Sequence, residues 1–230
     1  MRSHKSLLEA LPVEEARLLT DSCSEVKLTV GQVLADVGQP YTTIYFPITS
    51  VVSVTTQLRD GRLVESTTIG REGIVGLAAL LGSKRSHQHV VAQVPGTSLC
   101  VSLESLLELL PSLPEFVRRF GTLADCMMTS MGQSAACLAM HPVAERCARW
   151  LLMTADRTHS DTFFLTQEYL AAMLGVHRPT VTIAARTLQR AGLIDYHRGQ
   201  ITILDRVGLE EATCECYEIV HAVVEEFLGC

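Results

Sequence analysis

The chain of 230 residues has no apolar run of about 18 residues, the length a membrane-spanning helix needs. Its start, Met1-Arg2-Ser3-His4-Lys5-Ser6-Leu7-Leu8-Glu9, is basic but leads into no sustained apolar stretch, because Glu9, Glu14 and Glu15 interrupt it. No export signal is expected, so the expected location is the cytoplasm. Eight cysteines stand at 23, 100, 126, 137, 147, 214, 216 and 230, yet none forms Cys-x-x-Cys. That absence removes the commonest zinc and thioredoxin-like patterns, and reduced thiols are the default without export. The chain also lacks a P-loop, a nucleophile elbow and a zinc-hydrolase motif, so no enzyme is expected. No repeat or low-complexity tract occurs.

Lysine and arginine are absent from residues 207–230, which hold six glutamates. The net charge of −6 is therefore local. Residues 1–140 carry 11 Lys/Arg against 13 Asp/Glu, and residues 141–206 carry 8 against 6. The segment 141–206 is thus net positive inside an acidic protein, and local charge decides attraction to phosphate. The length suits two modest domains.

What is present divides into three parts. Residues 1–15 read as a short helix ended by Pro12. From 26 to about 103, stretches at 43–46, 51–58, 63–69 and 89–94 are rich in β-branched residues and separated by Gly, Pro and Asp-Gly turns. Leu58-Arg59-Asp60-Gly61-Arg62 reads as a hairpin tip, since Asp-Gly suits positive φ. Short strands at this spacing predict an antiparallel barrel or sandwich. Next, Phe116, Phe120, Leu123, Met127, Met131, Ser134 and Leu138 recur at steps of three or four. They predict one long helix over 113–140, about 42 Å at 1.5 Å per residue. Its stripe needs a partner, either the same helix of a second subunit or the chain's own β domain; the sustained a/d spacing favours a homodimer. Pro142 then breaks the helix.

The most specific motif is Leu165-Thr166-Gln167-Glu168-Tyr169-Leu170-Ala171-Ala172-Met173-Leu174-Gly175-Val176-His177-Arg178-Pro179-Thr180-Val181-Thr182-Ile183-Ala184-Ala185-Arg186-Thr187-Leu188. Thr166 is a natural N-cap, Gly175 permits a positive-φ exit, and Pro179 falls in the first turn of the next helix. Leu170, Met173 and Leu174 on the first helix and Val181, Ala184 and Leu188 on the second point inward, which makes a helix-turn-helix. Arg178, Thr180, Thr182 and Arg186 are left on the outer face, with Thr166, Gln167 and His177 beside them. Arginine can bond guanine N7 and O6 together, and a threonine methyl can meet a thymine methyl. Leu193 to Leu204 then reads as two strands around Arg198-Gly199, a wing whose tip puts Arg198 against phosphate. Asp205 caps a last helix carrying Leu209, Ala212, Cys216, Ile219, Val223 and Phe227.

These residues, in this order, resemble the Crp–Fnr family of bacterial regulators over nearly the whole chain. Ile44-Tyr45-Phe46-Pro47 and Gly70-Arg71-Glu72-Gly73-Ile74-Val75-Gly76 are similar to the family's β-roll segments. The resemblance implies an α+β protein: an N-terminal antiparallel β-roll of cyclic-nucleotide-binding type (1–112), a long dimerisation helix (113–140) and a C-terminal winged helix-turn-helix (141–230). It implies a homodimer on double-stranded DNA with an inverted-repeat site, RNA polymerase as a partner, and control by a signal that the sequence leaves unidentified. A ligand-independent regulator and a cyclic-nucleotide-like regulatory subunit of an enzyme are the alternatives. Members often read DNA with Arg-Glu-x-x-x-Arg; here Arg178 is kept, while Pro179 and Ile183 replace the other two. Cyclic AMP is not supported, because Leu77 follows Gly76 where a ribose-binding carboxylate is expected and Arg85-Ser86 comes at a poor spacing. An iron–sulphur cluster is not supported either, since Cys23 stands alone near the N-terminus.

No metal site is expected. His87 and His89 could share a strand face, but without a third ligand they read as solvated. Cys214 and Cys216, two apart on one helix, would point about 200° apart and share no ligand. Cys126 and Cys137 share a helical face and read as small buried hydrophobes, with a redox switch as the alternative. His141 and Glu145 share a face without making a catalytic site.

Overall fold

The structure, a computed structural model, describes residues 5–59, 61 and 63–229. Asp60 and Arg62 of the expected hairpin tip lie outside the described residues. Pro12 begins a helix where the sequence reading has it end one. After a short 3₁₀ turn at Leu8–Ala10 comes α1, Val13–Asp21, with Pro12 at its N-cap and Glu14 and Glu15 in its first turn, where acidic groups suit the helix dipole.

Seven antiparallel strands follow in two sheets. One runs β1 (Ser24–Leu28), β7 (Gly96–Ser102), β3 (Thr43–Pro47). The other runs β2 (Val33–Ala35), β6 (His89–Val94), β4 (Val51–Gln57), β5 (Leu63–Ile69). Ile44, Phe46, Val51, Val94 and Val101 belong to the main core, while Leu28, Val52, Val54, Ile69 and Ala92 fill a second cluster. β3 to β6 match the expected stretches. β1 and β2 carry no such signal, because they are short and largely solvent-facing, so neither shows an apolar run. Gly76, at φ 98°, starts the one-turn helix α2 (Leu77–Leu80). Helix α3 (Leu103–Leu109) is capped by Ser102, whose Oγ accepts the Ser105 N–H at 3.0 Å.

Helix α4 spans Pro114–Met140. Its N-terminus is capped from a distance: the Glu15 carboxylate accepts the N–H groups of Glu115 at 3.0 Å and Phe116 at 2.9 Å. The first half of the apolar stripe is not where a second subunit could reach it. Phe116, Phe120 and Leu123 are 0%, 6% and 2% exposed, packed in the chain's own core, where Phe116 meets the ring of Phe46. Met127 packs against both clusters, and Met131, Ser134 and Leu138 are half-buried. The corrected assignment is that the first half of this stripe closes the β domain, because the helix lies across it.

After the Pro142 bend, α5 (Val143–Thr158) is buried along most of its length. Around it stand β8 (Thr162–Phe164), α6 (Gln167–Leu174), α7 (Arg178–Arg190), β9 (Ile194–His197) and β10 (Gln200–Ile203), with a sheet order β8-β10-β9. The expected single last helix is two: α8 (Arg206–Glu211) and α9 (Cys216–Leu228). Cys214 lies in the break between them, so Cys214 and Cys216 do not share a helix. His141 has an extended backbone at the end of α4, so it shares no helical face with Glu145. Among the described residues no helix is long and apolar enough to cross a membrane.

Candidate nucleic-acid interface

Local rules set the helix-turn-helix. Thr166 Oγ1 accepts the Tyr169 N–H at 3.3 Å, starting α6. Gly175, at φ 60°, ends it, and the buried Arg146 of α5 donates to the free Leu174 carbonyl at 2.9 Å. His177 is the N-cap of α7 and Pro179 lies in its first turn. Val181, Ala184, Ala185 and Leu188 are buried, holding α7 against α5 and α6. The outer face shows Arg178, Arg186 and also Arg190. Ile183 is 66% exposed beside them.

Thr182 is engaged within the protein. Its hydroxyl donates to Gln167 Oε1 at 3.3 Å and lies 3.2 Å from the Arg178 carbonyl oxygen, tying the start of α6 to α7. The wing is a two-residue turn: His197 pairs with Gln200, Arg198 has φ 48° and Gly199 φ 85°. A Cβ on Gly199 would strike the Phe164 ring at 2.7 Å. Phe164, Thr166, Gln167, Arg178, Tyr196 and Arg198 line one open cleft of about 360 Å³ between helix and wing. Two arginines thus face a concavity flanked by a helix N-terminus, the arrangement that receives a phosphodiester. Phe164 and Tyr196 were not among the expected residues. Their strands are too short to announce the cleft, and only folding brings them to Arg178.

Arg85 of the β domain is exposed and donates to the Gly38 carbonyl at 2.7 Å. Leu77 is buried. His89 pairs with Asp36 at 3.1 Å, and His87 is exposed.

Helix α6 rests against β5 of the β domain, and a cavity of about 290 Å³ lies between them, lined by Glu65, Gln93, Glu168, Tyr169 and Met173. Glu65 accepts Ser53 Oγ at 2.7 Å, Trp150 Nε1–H at 3.2 Å and Gln93 Nε2–H at 3.3 Å, and Arg149 acts on it at longer range. Burial dominates these and pushes its carboxyl up to about 7. A raised carboxyl stabilises the fold below its unfolded value and loses that contribution as pH rises through the folded one. Thermal stability should therefore fall between about pH 5 and about pH 8, and Glu65→Gln should flatten that slope. Equal slopes for the two proteins in a melting series would disprove it.

Two family models match the sequence: the cyclic nucleotide-binding domain over residues 25–112 and the Crp-like helix-turn-helix domain over residues 145–212. Together they define a DNA-binding regulator with a cyclic-nucleotide-binding-type domain. The chain belongs to the Crp–Fnr family of transcription regulators. No curated protein matches the sequence significantly. The fold is shared with FixK2 from Bradyrhizobium japonicum, at 17% identity and TM-score 0.69 over 84% of this chain and 98% of that one. It is shared with the c-di-GMP-responsive regulator CLP of Xanthomonas campestris, at 18% identity and TM-score 0.66 over 84% and 99%. A CRP-family regulator from Thermus thermophilus matches at 22% identity and TM-score 0.66 over 81% and 95%.

Proposed function

We propose that this Crp–Fnr regulator works in the cytoplasm as a homodimer that reads an inverted-repeat DNA site and acts on RNA polymerase. The units are 1–112 for sensing, 113–140 for pairing and 141–230 for DNA. Arg178, Arg186 and Thr180 face the bases or the backbone beside them. His177 and Thr166 flank the cleft, Gln167 and Thr182 hold α6 to α7, and Arg198 takes a phosphate. The carrying observation is that Arg178 and Arg198, twenty residues apart, line one cleft.

Pairing through α4 uses a row that runs one residue over from the expected stripe in the first half of the helix and shares Met131 and Leu138 with it in the second half. Val117, Gly121, Ala124, Met128, Met131, Ala135 and Leu138 repeat at alternating steps of four and three, the spacing of a two-stranded seam. Met128 is 64% exposed, and a Cβ on Gly121 would meet nothing within 4 Å. Such a dimer would set two α7 helices about 34 Å apart, in successive major grooves.

Arg178→Ala should weaken specific binding by about 1–3 kcal/mol, and preference at one base position should relax. Arg198→Ala should weaken every sequence alike and lower the salt slope by about 1. Fluorescence anisotropy with selected and scrambled duplexes reads both. Unchanged affinity and preference in Arg178→Ala would refute the interface.

A further inference from the structure

We infer that Cys137, His141, Cys214 and Cys216 form a single-ion zinc site, where the end of α4 meets the break between α8 and α9. One ligand atom from each residue lies within 4.8 Å of all the others. Cys137 Sγ is 3.5 Å from Cys214 Sγ, and Cys216 Sγ is 3.4 Å from His141 Nδ1. Zinc holds sulfur at about 2.3 Å and nitrogen at about 2.0–2.1 Å, so tetrahedral ligands stand roughly 3.5–3.8 Å apart. The four groups are therefore close to the spacing of a Cys₃His site without moving the backbone. Among the described residues it is the one group of three or more His, Cys, Asp or Glu this compact.

The surroundings fit a charged thiolate centre better than a dry thiol cluster. His141 Nε2 is 3.2 Å from the Glu215 carboxylate, which orients the ring and leaves Nδ1 for the metal, the usual second partner of a zinc-bound histidine. Gln133 Nε2–H donates to Cys216 Sγ at 3.0 Å. Three thiolates on Zn²⁺ leave one negative charge, the three thiol protons passing to solvent. Arg149, which lines a cavity with Cys137, faces that charge with Nη1 buried and without a hydrogen-bond partner among the described residues. Cys137, Cys214 and Cys216 are buried together, whereas Glu215 stands mostly in solvent and marks the entry. The ligands also join distant parts of the chain. Cys137 and His141 are one turn apart at the end of the pairing helix, and Cys214 and Cys216 belong to the final helices. Across the bend at Pro142 the metal would add a second tie between α4 and the C-terminal domain.

The full chain, purified under reducing conditions and gel-filtered, should hold one zinc per chain by elemental analysis. Cobalt(II) should replace it and give the intense visible bands of a tetrahedral thiolate site. Cys137→Ser and Cys214→Ser should lose the metal, and Cys126→Ser, buried on the same helix outside the cluster, should keep it. Glu215→Gln should weaken affinity about 10–100-fold. Should the serine variants fail to fold, thiol labelling of the unaltered protein decides: a chelator should expose Cys137, Cys214 and Cys216 and leave Cys147 protected. Absence of stoichiometric metal, iron with sulfide in its place, or the same labelling with and without chelator would overturn the site.

Discussion

Met128→Glu should leave the protein monomeric at low micromolar concentration and sharply weaken its binding to an inverted repeat. The side chain is exposed near the middle of α4, in the row that continues through Gly121 and Ala135. In a two-stranded seam the two copies of residue 128 meet near the axis, so two carboxylates would be buried side by side without a counter-charge. Fold stability should hardly change, because Met128 touches little of its own chain. Leu123→Glu makes the contrasting case. It is 2% exposed in the chain's own core, so the same charge should unfold the β domain. Sedimentation and melting measured on both variants separate the two effects. A Met128→Glu protein that stays dimeric would place the pairing surface off this row.

Arg157→Ala should cost about 3–5 kcal/mol of unfolding free energy, the range for removing one partner of a buried ion pair. Arg157 Nε lies 2.7 Å from Glu72 Oε1, both residues are buried, and the same oxygen accepts the Gly70 N–H at 3.1 Å. Burial alone would push the Glu72 carboxyl up, but Arg157 holds it below the usual carboxylate range. With Arg157 gone, the carboxylate is left charged and dry, so the variant should be weakest at high pH. In the unaltered protein the pair instead loses its contribution as pH falls. Glu72→Leu added to Arg157→Met should recover much of the loss. Denaturant titration reads all three proteins, and a loss under about 1 kcal/mol in Arg157→Ala would show that the pair is wetter than its burial implies.

The helix-turn-helix was legible because each of its signals is local. A threonine cap, a glycine exit and a first-turn proline act within four residues, and they fall at Thr166, Gly175 and Pro179 as expected. The wing turn at Arg198-Gly199 was legible for the same reason. The inward row of α4 was not. Adjacent rows of the helix have the same period, and only folding, which buries Phe116, Phe120 and Leu123 in the chain's own core, decides which row faces inward. The division of the last helix was hidden too. Leu209, Ala212, Cys216, Ile219 and Val223 keep helical spacing straight through the break, and no Gly or Pro marks it. With Cys214 and Cys216 placed on one continuous helix, their approach to Cys137, 77 residues before Cys214, could not be foreseen.

The carboxylate that closes the start of α4 carries a consequence for dissecting the molecule. A fragment cut at residue 113 would keep the whole of α4 but lose Glu15, a partner from a hundred residues upstream. Two amide groups would then be left to water, and the first turn would fray. Any such fragment should show fast amide exchange over residues 114–117 and a shortened helix. Restoring the cap within the helix's own sequence, by Leu113→Asp, should slow that exchange again. The starting point of α4 is thus inherited from the N-terminal segment, and changes around residue 15 would be felt as a shift in where that helix begins.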